Sequence, residues 1–375
     1  MRISLLEKRE NFEKILKETL ISSSFFEKKQ EFIERKYYIN KYLNFIATNK
    51  LPENVFQILV NEYSSSLSWW KKGIQFLYVK FAIFKFFRAL FSHQSIKLPV
   101  YFEHFLILGG NHRLRLFSVN LKSSIVLLKQ GEREGYIKND IAVRTENSLT
   151  YAPQLLKFGK DWLEEEYFEG IPINRVDSPS KVKEQLENIF EYHFKTLILN
   201  NLRSYKKNDY LDLVNAEIDF ITTNKKIKVD QHIIKEIKNV FSLLFSKLNN
   251  KDIKVSWTHG DFQQANILIA NGISKVIDWE ASEKRFYMYD AFILFGMVRE
   301  GESLSDAIRN FKEAIKHLNY IHKVDENTIT LLLIEDLRFN VNEMFSVNFF
   351  ESGIQIASLC KSITTYIDEQ KNHFI

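Results

Sequence analysis

The sequence is short of cysteine, glycine and proline. Its 375 residues contain 1 Cys, 12 Gly and 5 Pro. The single cysteine, Cys360, excludes an intramolecular disulfide and fits a reducing compartment. So few glycines and prolines leave little room for long flexible linkers. These shortages predict a folded chain that is held together without disulfide bonds.

An excess of charge of one sign is also missing. The formal net charge is +5, from 52 Lys and Arg against 47 Asp and Glu, and the two signs alternate along almost the whole chain. Nucleic-acid binding requires basic residues gathered on one element, and the sequence has no such motif. We therefore expect no nucleic-acid partner.

No apolar run reaches the ~20 residues that a membrane-spanning helix requires. The most apolar segment, Trp69–Phe91, is interrupted by Lys72, Lys80, Lys85 and Arg88. These basic positions fan round a helix at ~100° per residue, which favours packing against the rest of the protein. Peripheral membrane contact, with aromatic and basic residues at the interface, is the alternative for this segment.

The first residues, MRISLLEKRENFEK, are charged and lack the apolar stretch of a signal peptide. The sequence therefore predicts a cytoplasmic protein. If Trp69–Phe91 does contact a membrane, we expect that contact at the inner face.

What the sequence does contain is enough apolar material for more than one core. A chain of this length is longer than one hydrophobic core usually supports, and 32 Phe and 16 Tyr add large side chains. Residues 1–100 are predicted to be a helical extension, because apolar residues recur there near a helical period: Phe25, Phe26, Phe32, Ile33, Ile39 and Leu43.

At residue 101 the pattern changes to short alternating runs. We predict an antiparallel sheet in residues 101–170, with one helix over Glu132–Thr145. Its strands are expected at Phe105–Leu108, Arg113–Val119, Ser124–Lys129, Pro153–Phe158 and Trp162–Phe168.

Residues 171–375 are predicted to form a helical lobe, with helices at Lys181–Tyr205, Asp209–Thr222, Gln231–Leu248 and from Asp290 onward. One hairpin interrupts them, because Ala265–Ala270 and Ile273–Asp278 are joined by Asn271-Gly272, a dipeptide that suits a type I′ turn. The predicted fold class is α+β: a helical extension, a small sheet-rich lobe and a helical lobe with an embedded hairpin.

The chemistry is concentrated in WTHGDFQQANILIANGISKVIDWE, residues 257–280. Asp261 lies on the loop that leads into the first hairpin strand, Asn266 lies just after this loop, and Asp278 ends the second strand. A two-residue turn brings such strand ends together, so we expect Asn266 and Asp278 within reach of one cation. A carboxylate that orients a hydroxyl, with oxygen ligands that hold Mg²⁺ on phosphates, is the arrangement that phosphoryl transfer requires.

This stretch resembles the aminoglycoside phosphotransferase and choline kinase branch of the protein-kinase-like superfamily. The shared motif is H-G-D-x-x-x-x-N, a strand pair and D-W-E, here His259–Asp261, Asn266 and Asp278–Glu280. The resemblance implies a bilobal kinase-like fold that uses ATP and Mg²⁺. It implies Asp261 as the catalytic base, Asn266 and Asp278 as metal ligands, His259 as a brace of the loop and Asp290 as a cap of the next helix.

The resemblance also implies a nucleotide site upstream. Gly109 and Gly110 would form a lid over the phosphates, and Lys129 resembles the strand lysine of V-A-I-K that pairs with ATP. Asp140 is the expected acidic partner of Lys129, with Glu134 as the alternative. The backbone near Glu166 and Phe168 resembles the hinge that binds adenine.

The acceptor is expected to be a small or flexible hydroxyl compound. Gln263 stands where protein kinases carry a lysine, and eleven residues between Asp278 and Asp290 leave little space for a peptide platform. A sugar or glycan in surface-polysaccharide synthesis is the more specific expectation. A pseudokinase that binds nucleotide or a partner without catalysis is the alternative, although the motif residues are complete. A metal hydrolase is disfavoured because the histidines are scattered.

Overall fold

The computed structural model describes residues 12–26, 33–63, 69–119, 122–176, 179–223, 230–296, 303–318, 324–346 and 350–372. The chain forms two compact units. Unit 1 comprises Met1–Asp177 and Leu268–Glu280, and unit 2 comprises Ser178–Ile267 and Ala281–Ile375. The predicted α+β class is confirmed, since strands and helices occur largely in separate stretches of the chain.

Unit 1 is built on an eight-stranded antiparallel sheet with the strand order β3-β1-β2-β4-β5-β6-β8-β7. Its strands are β1 (Glu34–Asn40), β2 (Phe45–Ala47), β3 (Gln94–Pro99), β4 (Phe105–Gly109), β5 (Arg113–Ser118), β6 (Ser123–Leu128), β7 (Leu155–Phe158) and β8 (Trp162–Glu166). The strands predicted after residue 101 are therefore confirmed to within a few residues.

Helices pack against this sheet: α1 (Phe12–Ser22), α2 (Gln57–Tyr63), α3 (Trp69–Ile83) and α4 (Gly135–Asn147). Successive residues of a strand point to opposite faces, so β4 contributes Ile107 to one core and Leu106 to another. The first core also includes Leu20 of α1, and the second includes Leu59 of α2 and Ala82 of α3. Both faces of the sheet are thus covered by residues from the first hundred.

The prediction of a helical extension over residues 1–100 is wrong for β1, β2 and β3. In β1 the buried side chains of Tyr37 and Ile39 alternate with more exposed ones, and in β3 Ile96 and Leu98 do the same. This period of two, with aromatic and β-branched residues, favours a strand. The two strands pair with each other at Tyr37↔Ile96, so the first hundred residues belong to unit 1.

The predicted hairpin is present as β12 (Ile267–Ala270) and β13 (Ile273–Val276). Asn271 and Gly272 have φ angles of 50° and 77°, as a type I′ turn requires. Its placement differs from the prediction, because Leu268–Glu280 belongs to unit 1 rather than to the helical part. Strand β12 pairs with the short β9 (Ile171–Pro172).

Unit 2 contains the helices α5 (Pro179–His193), α6 (Lys207–Thr223), α7 (Gln231–Lys247), α8 (Tyr289–Gly296), α9 (Leu304–Ile315), α10 (Glu326–Ser346) and α11 (Phe350–Asn372). A three-stranded antiparallel sheet of β10 (Arg203–Tyr205), β11 (Ile253–Thr258) and β14 (Glu283–Phe286) accompanies them. The helix predicted over Lys181–Tyr205 ends earlier, because residues 203–205 pair with β11 as a strand. In the described part of the chain, no helix is long and apolar enough to span a membrane.

Candidate active site

The Asp261 carboxylate lies in a loop that follows β11 in unit 2. Gln263 Nε2 donates to both of its oxygens, at 3.0 and 2.9 Å, and Asn266 Nδ2 donates to Oδ2 at 2.8 Å. The same Asn266 amide nitrogen reaches the Asp261 carbonyl at 2.9 Å. Because Nδ2 faces Asp261, the Asn266 carbonyl oxygen is the atom that can coordinate a cation.

Gly260 fixes the turn that leads into this loop. Its φ is +85°, and a Cβ at this position would lie 2.2 Å from the carbonyl oxygen of Ala281 and 2.7 Å from Nη1 of Arg285. Any side chain would therefore be both strained and sterically excluded. The glycine of the H-G-D motif is required by the backbone, which holds Asp261 in one position.

Asp290 braces the loop from within α8. Its side chain is fully buried and accepts from the backbone N–H of His259 at 2.7 Å and of Gly260 at 2.9 Å, and it contacts His193 Nε2 at 2.9 Å. The expectation that Asp290 caps the following helix is wrong, because its oxygens bond to this loop. The expected brace by His259 is confirmed, since its Nδ1 accepts from the Asp261 N–H at 3.2 Å.

Burial alone would raise the pKa of Asp290. The hydrogen bonds and charge that His193 and His259 supply outweigh burial and lower this pKa below its usual value. The carboxylate is therefore ionised at neutral pH, which makes it a strong acceptor for the two loop amides.

In unit 1, Asp278 follows β13 and adopts a left-handed φ of 67°. Its side chain is 40% exposed, and its Oδ1 lies 2.8 Å from Nη2 of Arg113. Glu280, the last residue of the D-W-E motif, contacts Nε of the same guanidinium at 2.8 Å. Arg113 is the residue that sequence reasoning missed, since it was predicted only as part of a strand.

Asp140 of α4 is buried and also contacts Arg113, at 2.5 Å between Oδ2 and Nη1. Arg144 Nε lies 2.7 Å from Oδ1, the other carboxylate oxygen of Asp140. The alternative acidic residue, Glu134, is about half-exposed and contacts Lys138 and Lys160. Of the two candidates, Asp140 is thus the one in a buried charge cluster.

Lys129 follows β6, as predicted, and is buried. Its ammonium donates to the carbonyls of Gly110 at 2.6 Å and Asn111 at 3.1 Å, which lie in the turn between β4 and β5. The Gly110 N–H closes this turn on the Arg113 carbonyl at 2.8 Å. The structure therefore brings Lys129 to the glycine turn, and its pairing with ATP stays a prediction.

In the hinge-like segment at the end of β8, two backbone N–H groups already donate hydrogen bonds. The Glu166 N–H donates to the Gln154 carbonyl at 2.8 Å, and the Tyr167 N–H to the Lys122 carbonyl at 3.1 Å. The carboxylate of Glu166 lies 3.5 Å from Lys275 Nζ. Phe168, which follows Tyr167, is partly buried.

The predicted metal ligands have the chemistry that Mg²⁺ prefers, one carboxylate and one amide oxygen, but they belong to different units. Around Asp278 the structure places three carboxylates on one guanidinium, an excess of negative charge that suits a cation. Within the described ranges, no group of three or more His, Cys, Asp or Glu side chains could hold a metal. A shared Mg²⁺ site at Asn266 and Asp278 stays a prediction.

No protein-family model matches the sequence, and no curated protein matches it. Among solved structures, a choline kinase from Streptococcus pneumoniae is 15% identical with a TM-score of 0.47, over 69% of this chain and 92% of that one. A glucosamine kinase in complex with glucosamine, ADP and inorganic phosphate is 13% identical with a TM-score of 0.43, over 72% and 84%. An aminoglycoside phosphotransferase is 13% identical with a TM-score of 0.45, over 69% and 92%.

Proposed function

We propose that this chain is a phosphotransferase that uses Mg-ATP to phosphorylate a hydroxyl group of a small molecule or a sugar. The observation that carries the proposal is the Asp261 loop. A carboxylate held by two side-chain amides, on a backbone fixed by Gly260 and Asp290, is pre-organised to accept a proton from a hydroxyl.

Each residue of the motif then has a defined task. Asp261 orients the acceptor hydroxyl and takes its proton. Asn266 and Asp278 would hold Mg²⁺, which when bound neutralises charge on the transferred phosphate. Gln263 keeps the Asp261 carboxylate in place by donating to both of its oxygens.

The nucleotide is proposed to bind to unit 1. Gly109 ends β4 and Gly110 begins the turn that Lys129 secures, a place where the backbone can approach phosphates. Because the amides of Glu166 and Tyr167 are occupied, adenine recognition is assigned to the carbonyl of Glu166 and the amide of Phe168. Asp140 supports the site through its buried charge cluster.

Calorimetric titration of ATP, with and without Mg²⁺, tests this function. We expect Mg-dependent binding by the wild-type protein and its loss in Asp278→Ala, because the variant lacks the carboxylate ligand. Asp219→Ala is the matched control, since Asp219 is an exposed aspartate of unit 2 whose carboxylate contacts the surface lysine Lys238. Absence of ATP and GTP binding by the wild type would reject the enzyme and favour a module that binds a partner.

Residues 69–91 carry a large apolar surface, which we call the aromatic surface. Phe86 and Leu90 are 79% and 76% exposed. The other exposed members are Trp70, Ile74, Phe76, Leu77, Phe81, Phe84 and Phe87. Ring contacts connect Phe81, Phe84, Phe86 and Phe87 within it, and exposed apolar patches mark interaction sites. The predicted packing of this segment is only partly realised, through Val79, Ala82 and Ile83.

Arg88 explains why so many aromatic side chains face outward. Its guanidinium is buried, donates to the carbonyls of Ile83 at 2.8 Å and of Thr48, and lies over the Phe56 ring at 4.2 Å. Desolvation lowers the pKa of Arg88 to about 10. The inward arginine anchors the turn after α3, and the flanking Phe86, Phe87 and Leu90 are left exposed.

The charge around the aromatic surface favours an anionic lipid surface as its partner. Residues 63–102 contain five lysines and no Asp or Glu, and their one arginine, Arg88, is buried. Glu53 is an acidic residue that lines the same groove as Lys80 and Phe84. Lys80 and Lys85 are exposed beside the aromatic residues. Aromatic side chains that enter the interface, with lysines that contact anionic headgroups, describe peripheral membrane binding. Membrane binding would place the proposed kinase next to a lipid-linked sugar acceptor, as surface-polysaccharide synthesis requires.

Vesicle co-sedimentation tests this membrane contact. The full-length protein is expected to bind vesicles of phosphatidylglycerol and phosphatidylcholine but not phosphatidylcholine alone. The double variant Phe86→Ala/Leu90→Ala should bind at least about tenfold more weakly, because each side chain contributes ~1.5 kcal/mol on burial. Phe220→Ala, which removes a 63% exposed phenylalanine of unit 2, is the matched control. Failure of the full-length protein to bind either vesicle would reject membrane contact.

A further inference from the structure

Arg113 connects three carboxylates that come from two distant parts of the chain. Its Nη1 contacts Asp140 of α4, its Nη2 contacts Asp278, and its Nε contacts Glu280. The contact distances are 2.5, 2.8 and 2.8 Å. The guanidinium side chain is 5% exposed, so these contacts form in a largely desolvated environment.

The planar fork of arginine is suited to this task. It presents N–H groups in several fixed directions, whereas the lysine ammonium is a single point charge. Burial alone would lower the pKa of Arg113, but Glu280, Asp140 and Asp278 outweigh burial and raise it above its usual value. The link between α4 and the segment after β13 is therefore a permanent positive charge.

The cluster extends from Asp140 through Arg144 to Glu165 and Arg115. Arg144 contacts Asp140 and Glu165, each at 2.7 Å, and Arg115 contacts Glu165 at 2.8 Å. The cluster holds three guanidinium groups against four carboxylates. Its surplus negative charge lies at the Asp278 end, where the side chain is 40% exposed and a cation can approach.

We propose that Arg113 is a positioning residue for the metal ligand Asp278, which it ties to Asp140 of α4. This inference rests on the proposed Mg-ATP function. In this proposal Asp140 is the acidic partner of Arg113. The sequence predicted Asp140 as the partner of Lys129, but the Lys129 ammonium donates to the carbonyls of Gly110 and Asn111. Without the arginine fork, the carboxylates of Asp278 and Glu280 lose a shared partner, and Mg²⁺ must order them when it binds.

The test is a Mg²⁺ titration of ATP binding, with the midpoint Mg²⁺ concentration as the readout. Arg113→Lys keeps the charge and removes the fork, so it separates positioning from simple electrostatics. We expect the midpoint to rise about tenfold or more, as for loss of a partner that orients a metal ligand, with much less change in Mg-free ATP affinity. Arg338→Lys, which changes a largely buried arginine of unit 2 that also contacts three carboxylates, is the matched control and should leave the midpoint unchanged.

Two further variants decide the outcome. If Arg113→Lys does not fold, Asp140→Asn cuts the tie to α4 and should raise the midpoint in the same direction. If Lys129→Met raises the midpoint while Arg113→Lys leaves it unchanged, the proposal is overturned and the Lys129–Asp140 pair is supported. Wild-type protein without Mg-dependent ATP binding would reject the proposed function itself, a result distinct from a normal Arg113→Lys titration.

Discussion

Asp261→Asn is expected to reduce kcat for phosphoryl transfer by about 10²–10⁴-fold, the usual contribution of a positioned general base. The substitution keeps the size of the side chain but replaces a proton acceptor by an amide. The affinity for ATP should change little, because the proposed nucleotide site lies in unit 1. Release of ADP measures the effect, with water as the acceptor and then with a panel of monosaccharides.

Asp252→Asn is the control for this prediction, since Asp252 is exposed and lies just before β11, the strand that leads to the loop. It should retain the wild-type rate. Wild-type turnover by Asp261→Asn, at normal protein stability, would show that Asp261 is not the catalytic base.

The Asp261 loop and the hairpin were predictable because their determinants are local. Asn271-Gly272 specifies its turn from two residues, and both adopt the positive φ angles expected. The spacing between Asp261 and Asn266 is likewise short enough for the loop itself to bring the two side chains together. Local chemistry and local geometry agree there, so sequence reasoning succeeded.

The N-terminal strands were not predictable in the same way. Strand β1 pairs with β3, and Tyr37 faces Ile96 across a gap of more than fifty residues. The sequence ERKYYIN fits a helix surface or a strand, and only its distant partners decide between them. The period of two in this strand covers only a few residues, which is too short to decide the assignment without the distant partners.

Arg113 was missed for a related reason. Charged residues are rarely buried unless they are paired, so an arginine in a strand is expected at the surface. Its partners come from α4 and from the segment after β13, far along the chain. The one available signal is the RLRL pattern of β5, which places Arg113 and Arg115 on one face of the sheet.

Asp290→Ala is expected to destabilise the protein by about 3–5 kcal/mol, the usual cost of removing one partner from a buried charged network. The substitution leaves the amides of His259 and Gly260 and the ring of His193 without their buried acceptor. Scanning calorimetry should record a fall in Tm of about 10 °C. The loop of Asp261 loses its brace, so kcat should fall as well.

Asp290→Asn supplies the matched variant, because it keeps the shape of the side chain but removes the charge and replaces one of the two acceptor oxygens by an N–H donor. The folded-state pKa of Asp290 is lowered, so the stability that its charge contributes is complete above the unfolded pKa of ~3.9 and is lost as pH falls through the lower folded value. The difference in stability between wild type and Asp290→Asn should therefore be constant from pH 7 to about pH 5 and shrink below about pH 4. Urea denaturation across this range measures it. A difference that stays constant to pH 3 would mean that the ionised carboxylate is not what holds the loop.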